Sequence, residues 1–386
     1  MKFKKQMFGF MDMLRFKQLV PNRREALANG SNAPLPKEYR TNQLAKRLHP
    51  GFMQVELVEI RPLTAQIKAF TFRRLDAEAF PYFRAGQYVS LQAKIKDSLV
   101  SRPYSIASSP KEALDNTLVL GIEEAGLLSS FMHKEAKIGD QFVMSEPSGE
   151  FYYEGIRDQK QIIAIAGGSG ITPILSMAKS VVQQSEHYEM TLFYGVRKEE
   201  QIAFREELEM LKQQGIRVIY VLSDETKEGF EHGFVSAELI ERYADIKHST
   251  FFLCGPQSMY AFVLEELKPY QLPLKAVHKD ASCCVDLAVD QPKTFRLTVH
   301  MRADTYVIDA LENETLLVAM ERAGLNAPNK CRAGGCGFCH SKWIAGEYVI
   351  ASGRDGRREA DKKFGFIHPC VTYPKTDMEI EVPPAY

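Results

Sequence analysis

Short alternating runs of apolar and polar residues begin at Phe52 and fill the next hundred positions. FMQVELVEIRPL, TAQIKAFTFRRL, QYVSLQAKI, SRPYSIASS, TLVLGIEEA and DQFVMSEPSGEF follow one another with turn residues between them. Successive side chains of a strand point to opposite faces, so period-two runs at short spacing predict an antiparallel barrel over residues 51–157. Near residue 160 the pattern changes. QIIAIA, MTLFYGVR, IRVIYVLSD and STFFLC are almost continuously apolar, and ILSMAKSVVQQS, AFREELEMLKQQ and MYAFVLEELKPY between them have helical texture. Strands buried on both faces and alternating with helices predict an α/β domain with a parallel sheet over 158–280. A linker over 281–294 (ASCCVDLAVDQPKT) leads to residues 295–386, which open with two strand-like runs and the short helix TLLVAMERAG and predict an α+β domain. Ahead of the barrel, residues 1–50 form an extension, basic at first and then a polar connector over 25–50.

Charge bears on the class of partner. Lys+Arg and Asp+Glu are 49 each, so the 386 residues carry no net charge. Nucleic-acid binding draws most of its affinity from neutralised phosphates, so no nucleic-acid partner is expected. No apolar run approaches the ~18 residues of a membrane span. In residues 1–24, Lys2, Lys4, Lys5, Arg15, Lys17, Arg23 and Arg24 stand against Asp12 alone, with Phe3, Met7, Phe8, Phe10, Met11, Leu14, Phe16 and Leu19 interleaved. Asp12 and Arg15 break the apolar stretch and no small-residue cleavage site follows, which argues against a signal peptide. A basic amphipathic helix here has two readings: packing on the body of its own protein, or peripheral contact with a partner or an anionic membrane. The expected location is cytoplasmic, with attachment at the inner membrane face as the peripheral variant.

Seven cysteines stand at 254, 283, 284, 331, 336, 339 and 370, and four fall in the last 56 residues. That distribution is unlike a secreted disulfide framework and reads as a reducing compartment with a metal or cluster site. Cys331-Arg-Ala-Gly-Gly-Cys336-Gly-Phe-Cys339 has four residues between its first two cysteines and two between the next, and Cys370 follows after thirty more. This is the plant-type spacing of a [2Fe–2S] cluster. Two irons need four thiolates converging from a tight loop and one distant strand, and Gly334, Gly335 and Gly337 let backbone N–H groups turn toward the sulfurs. Zinc also takes four thiolates, but usually from two short C-x2-C knuckles, which this spacing lacks. Cys283 and Cys284 fall outside the spacing and read as packing residues.

A flavin needs a hydroxyl near its N5, an aromatic platform and a cation for phosphate. In Arg102-Pro103-Tyr104-Ser105, Ser105, Tyr104 and Arg102 supply one each. Gly126-Leu-Leu-Ser129 adds a small turn and a hydroxyl suited to a pyrophosphate, which FMN lacks, so FAD is expected. Gly167-Gly168-Ser169-Gly170-Ile171-Thr172-Pro173 follows an apolar strand and precedes a helix, where glycines let the backbone approach a phosphate. It is not the G-x-G-x-x-G dinucleotide fingerprint.

Residues 295–386 resemble plant-type ferredoxins, which implies a β-grasp fold with Cys331, Cys336, Cys339 and Cys370 as cluster ligands. With 12 basic and 12 acidic residues it departs from the strongly acidic photosynthetic ferredoxins, and the locally basic stretch Arg354, Arg357, Arg358, Lys362 and Lys363 is a candidate docking face. Residues 52–280 resemble the ferredoxin–NADP reductase superfamily. The resemblance implies that Arg102, Pro103, Tyr104, Ser105, Gly126 and Ser129 hold FAD, and that Gly168, Gly170, Thr172 and Pro173 face the pyridine nucleotide. It also implies that Cys254-Gly255-Pro256 lies near the nicotinamide, with Ser105 and Cys254 as the catalytic residues, and that Tyr194-Gly195-Val196-Arg197 meets the adenosine half. Glu199 and Glu200 after Arg197 favour NADH, with NADPH the alternative. Many relatives end this module with an aromatic that covers the flavin; here the stretch is Ala276-Val277-His278-Lys279-Asp280, and His278 is the candidate substitute.

The implied fold is multidomain: an antiparallel β-barrel for FAD, a parallel-sheet α/β nucleotide domain and a β-grasp ferredoxin domain. The implied activity is an NAD(P)H:acceptor reductase passing electrons from NADH through FAD and [2Fe–2S] to a partner redox protein such as an oxygenase. A bound subunit of a larger redox complex, with residues 1–24 as its anchor, is the alternative, and a non-catalytic redox sensor is a third reading.

Overall fold

The structure is a computed structural model that describes residues 8–29, 39–280, 287 and 289–383; Cys283 and Cys284 lie outside them. The chain divides into two compact units, residues 1–47 and 48–386. The first contains α1 (Phe8–Ala28), which continues through Pro21, and nearly all of α2 (Arg40–Leu48). The stretch read as a connector over 25–50 therefore carries the end of one helix and the whole of another. Leu44, Ala45 and Leu48 of α2 fall on one face at helical spacing, and none of its residues is buried. No helix of the described residues is long and apolar enough to cross a membrane.

The second unit begins with β1 (Phe52–Pro62), β2 (Ile67–Arg74), β3 (Tyr88–Ile95), β4 (Ser98–Ser105), β5 (Leu118–Glu123), helix α3 (Leu127–Lys134) and β6 (Gln141–Ser145). The strands form an antiparallel sheet in the order β4-β3-β6-β1-β2-β5. An antiparallel bridge from Ile106 to Leu120, just past β4, curls the sheet toward closure. Alternate residues Val55 and Leu57, Phe70 and Phe72, and Val89 and Leu91 point inward and are fully buried, as the period-two pattern requires.

The nucleotide domain runs β7 (Gln161–Gly167), α4 (Ile171–Val182), β8 (Glu189–Val196), α5 (Arg205–Gln213), β9 (Arg217–Leu222), β10 (Glu231–His232), α6 (Ala237–Glu241), β11 (Ser249–Cys254), α7 (Gln257–Leu267) and β12 (Val277–Lys279). Its sheet is parallel throughout, in the order β10-β9-β8-β7-β11-β12. α4 and α5 pack on one face, α6 and α7 on the other. The cluster under α4 takes in Ile67, Ala69, Ala107 and Phe151, so the two domains meet over an apolar seam, while the barrel keeps its own interior around Val55, Phe70 and Leu91.

The third domain comprises β13 (Thr294–Met301), β14 (Asp304–Leu311), α8 (Leu316–Arg322), β15 (Ser341–Ala345), β16 (Tyr348–Ile350), α9 (Glu359–Lys363), β17 (Phe366–Ile367), β18 (Thr372–Pro374) and β19 (Met378–Val382). Its main sheet, β14-β13-β19-β15-β17, has parallel β13 and β19 at its centre, and β16 pairs with β18 separately. Leu297, Val299, Leu316, Leu317, Met320 and Ile380 close its own core. Its attachment to the barrel includes polar contacts, among them Ser90 Oγ donating to the Lys330 carbonyl (3.0 Å) and Lys330 Nζ to Glu146 (2.9 Å).

Candidate functional site

The strand order of the nucleotide sheet reverses between β7 and β11, the place where open parallel sheets bind ligands beyond their carboxyl ends. There Ala166 pairs with Cys254, and Gly167 with Gly195. The glycines are dictated by this seam. A Cβ on Gly170 would stand 2.0 Å from the Cys254 carbonyl oxygen, and one on Gly255 would strike Met259 and approach the Gly167 nitrogen to 3.1 Å. Gly168 is the opposite case: its φ of +55° is left-handed, and nothing lies within 4 Å of where a Cβ would be. Its carbonyl is held by the buried Tyr194 hydroxyl (3.0 Å), which in turn accepts from Ala203 N. Thr172 Oγ1 donates to the Ser169 carbonyl (2.8 Å), and Ser169 Oγ to Glu123 at the end of β5 (2.5 Å), so the barrel braces the first turn of α4. Pro173 stands in that turn, where its missing N–H costs nothing.

Between the two domains a carboxylate gathers both predicted catalytic side chains. Ser105 Oγ at the end of β4 and Cys254 Sγ at the end of β11 each donate to Asp280 Oδ2, both at 3.3 Å. Asp280 follows β12, its N–H bonded to the Leu253 carbonyl and its carbonyl to the Tyr260 hydroxyl. Burial, then the charge and hydrogen bond of Asp280, push the Cys254 thiol well above its ordinary range, so it is a neutral donor and not a thiolate. Burial likewise raises the Tyr260 phenol. In the sequence Asp280 is only the end of a stretch lacking an aromatic. The signal that marks it is its place directly after the strand neighbouring that of Cys254. His278 does not take the flavin-covering position: its Nε2 is bonded to buried Asp158 (2.8 Å) and its ring packs on Phe252 at 4.7 Å.

These groups line a cleft of about 1470 Å³, above the ~300–1,000 Å³ usual for one small molecule. It extends from Tyr104, Ser105 and Pro103 past Gly168, Gly170, Thr172, Cys254, Gly255, Pro256 and Asp280 to Arg197, Glu200 and Gln201, and Cys331 also lies on its wall. The volume and the side-chain-free opening at Gly168 fit two extended ligands meeting near Ser105 and Cys254.

At the barrel end the cleft wall reaches Ala125. Gly126 is the extended residue before α3, with no atom within 4 Å of a Cβ position, and Ser129 accepts from the Ala125 and Gly126 N–H groups and donates to the Gly126 carbonyl. The motif read as a small turn is thus a self-capped helix start, its hydroxyl shaping the turn from inside. Arg102, near the end of β4, donates its Nη1 to Glu321 of α8 at 3.1 and 3.0 Å.

Three cysteines of the loop before β15 and Cys370 after β17 stand as two pairs. Ala333 N and Cys336 N donate to Cys331 Sγ, and Cys339 Sγ lies 3.4 Å from Cys370 Sγ. A hydrogen bond from the Cys336 thiol, then backbone N–H groups, pull the Cys331 thiol below its ordinary range, while the hydrogen bond with Cys339, and after it burial, keep that of Cys370 up. Among the described residues no three His, Cys, Asp or Glu side chains converge on a site for a single ion. Two thiol pairs fit a two-iron cluster better than one tetrahedral zinc. Next to them His368 is buried, with Nδ1 on the Gly334 carbonyl and Nε2 unpartnered, and Gly337 accepts its left-handed turn (φ +70°) against that ring. Cys336 is the exposed member.

Comparison with known proteins gives these pieces a common order. Residues 54–153 match the family described as oxidoreductase FAD-binding domain, 164–265 the oxidoreductase NAD-binding domain, and 299–375 the 2Fe-2S iron-sulfur cluster binding domain. The chain belongs to the ferredoxin–NADP reductase superfamily, with a fused plant-type [2Fe–2S] domain. This iron–sulfur flavoreductase is 25% identical to the glycine betaine monooxygenase reductase subunit of Chromohalobacter salexigens, over 86% of the chain and 95% of that protein. It is 29% identical to the carnitine monooxygenase reductase subunit of Escherichia coli, over 76% and 87%. A solved phthalate dioxygenase reductase shares its fold at a TM-score of 0.66 and 22% identity, covering 86% of the chain and 98% of that structure.

Two further features of the reductase bear on its partners. At the far end of the cleft no ion pair holds the Arg197 guanidinium among the described residues, while Glu200 lines the wall beside it. On the ferredoxin domain, Arg357 is not a free surface cation. It grips Asp355 through two nitrogens (2.8 and 3.0 Å) and donates to the Tyr348 hydroxyl (3.0 Å), so the candidate basic docking face loses one of its five cations.

Proposed function

We propose that the reductase takes electrons from NADH and delivers them, through FAD and its [2Fe–2S] cluster, to a separate oxygenase. The observation that supports this most is Cys331 on the same cleft wall as Tyr104, Ser105, Cys254 and Asp280. When bound, NADH supplies a hydride, FAD accepts it and gives up single electrons, and the cluster carries them onward. Everything the chain contributes is position and polarity. Ser105 and Cys254 present a hydroxyl and a neutral thiol at the centre of the cleft, tied to one carboxylate so that neither donor wanders. Gly168, Gly170, Thr172 and Pro173 shape the approach for the pyridine nucleotide, with Gly255 and Pro256 opposite. Pro103 and Tyr104 wall the flavin, Arg102 serves its phosphates, and Gly126 and Ser129 form the turn for its pyrophosphate. Cys331, Cys336, Cys339 and Cys370 hold the cluster.

Arg197 is the proposed contact for the adenosine half, and Glu200 favours NADH because a 2′-phosphate there would meet like charge. The named relatives serve a glycine betaine and a carnitine monooxygenase, which supports an oxygenase as the acceptor. Residues 1–24 are a proposed peripheral contact, for a partner or an anionic membrane surface, on the strength of their basic charge.

The purified chain is expected to carry FAD, iron and acid-labile sulfide, and Cys336→Ser should abolish electron delivery to a cytochrome-type acceptor while NADH–ferricyanide turnover stays within about twofold. Zinc without sulfide, FMN alone, or equal loss of both activities would each refute a named part of the reading.

A further inference from the structure

The barrel and nucleotide domain meet over a shared apolar cluster, whereas the ferredoxin domain closes a core of its own that includes no barrel residue. What holds the cluster loop to the barrel must therefore be sought among polar contacts, and one of them is buried. Glu321, the penultimate residue of α8, is 6% exposed, and Arg332, directly after Cys331, is 5% exposed. Arg332 Nη1 and Nη2 grip Glu321 Oε1 and Oε2 at 2.6 and 2.9 Å, a bidentate pair, and Nη1 also donates to the Ser101 carbonyl of β4 at 3.1 Å. From the other side Arg102 of β4 donates Nη1 to both Glu321 oxygens, and Ser101 N donates to Oε1 at 3.3 Å. One carboxylate thus gathers a guanidinium of the cluster loop, a guanidinium of the barrel and a barrel N–H.

Buried ion pairs with both partners and several hydrogen bonds satisfied are directional, and releasing one partner is costly. A flexible apolar contact would let the loop slide; this arrangement fixes its register on β4. Electron tunnelling falls steeply with distance, so that register bears on rate.

We propose that Glu321 is a positioning residue for internal electron transfer: by clasping Arg332 of the cluster loop and Arg102 of the flavin barrel it fixes the cluster against the flavin and sets how fast the flavin reduces it. The proposal rests on the reading of the cleft as the flavin site and of the loop as the cluster site.

The test uses the full chain loaded with its cofactors. In anaerobic stopped flow, Glu321→Gln should leave NADH-driven flavin bleaching within about twofold of wild type and slow cluster reduction at least about tenfold. Hydrogen–deuterium exchange over 98–105 and 330–336 should quicken at least about fivefold. Glu321→Asp, which keeps the charge, should recover part of both. Arg332→Gln leaves the Glu321–Arg102 pair in place; it should reproduce the slow cluster step, and it decides the matter if Glu321→Gln fails to fold. Wild-type cluster reduction and exchange in Arg332→Gln and in any folded Glu321→Gln would overturn the clasp, as would parallel loss of bleaching and cluster reduction with no recovery in Glu321→Asp. A wild-type chain whose flavin NADH does not bleach would instead refute the flavin reading beneath it.

Discussion

Arg357 shows how a single side chain changes meaning once its neighbours are known. In the sequence it belongs to a basic run that reads as a solvated or docking face. In the fold its guanidinium is mostly covered, stacked 5.8 Å from the Tyr348 ring and bound to Asp355 and the Phe366 carbonyl. That pairing, through the Arg357 hydrogen bond first, holds the Asp355 carboxyl down at about 2. Arg357→Ala should therefore cost stability, about 1–2 kcal/mol given that Asp355 is partly exposed to solvent, and should leave the salt dependence of the partner reaction unchanged. The sign of the pH effect follows from a depressed folded-state value. The Asp355 contribution is fully present above the ordinary carboxylate range and is lost as pH falls from 3.8 through about 2. Chemical denaturation of wild type and variant should show a constant gap from neutral pH to about pH 4.5 that narrows below it; a gap that widened would contradict the assignment.

At the scale of elements, the ends of β7 and β11 and the first turn of α4 work as one piece. Hydrophobic runs foretell those strands, because residues buried on both faces are mostly apolar: β11 is buried at all six positions, and after Ser249 and Thr250 the remaining four are Phe251, Phe252, Leu253 and Cys254. How closely the strand ends approach is set by backbone packing, which leaves Gly170 no room for even a methyl group. Gly170→Ala should lower stability by about 2–3 kcal/mol through overpacking and weaken NADH binding at least tenfold. Gly168→Ala, strained only by its left-handed φ, should cost about 1–2 kcal/mol. Thermal unfolding and NADH titration of the two variants check the contrast, and equal effects would mean the seam is softer than its geometry. Short α3 illustrates the reverse limit. Its capping is carried by one serine inside a motif that looks like a loop, while its apolar face is only the two i, i+4 pairs Leu127–Phe131 and Leu128–Met132.

For the whole molecule, continuity of core separates what moves together from what is joined by polar contacts. The barrel and nucleotide domain cannot part without exposing Ile67, Ala107 and Phe151, whereas the ferredoxin domain has its own closed interior. Residues 1–47 form a separate compact unit, which makes their contribution separable in the test tube. The full chain is expected to co-sediment with anionic vesicles in a salt-dependent way, while a chain of residues 46–386 should not and should retain NADH–ferricyanide turnover. Sedimentation of neither at low salt would leave a protein partner as the only role proposed for the segment.

Spacing and periodicity determined much about this protein by themselves. The three domain textures, the plant-type spacing of four cysteines, the R-x-Y-S segment, GGSGITP and Cys-Gly-Pro can all be read from the chain, because each is a local pattern: a strand's alternation, a loop's glycines, a thiol count. Tertiary structure alone decided which of these meet. Asp280 gathers Ser105 and Cys254 from two domains, Cys331 reaches the flavin cleft, His278 turns away to Asp158, and Glu321, 219 residues from Arg102 in the chain, joins it to Arg332. Such pairings leave no trace in local pattern. A buried carboxylate is satisfied by whichever cations the packing of helices and sheets brings to it, and that is settled by the burial of apolar surface far from the charge itself.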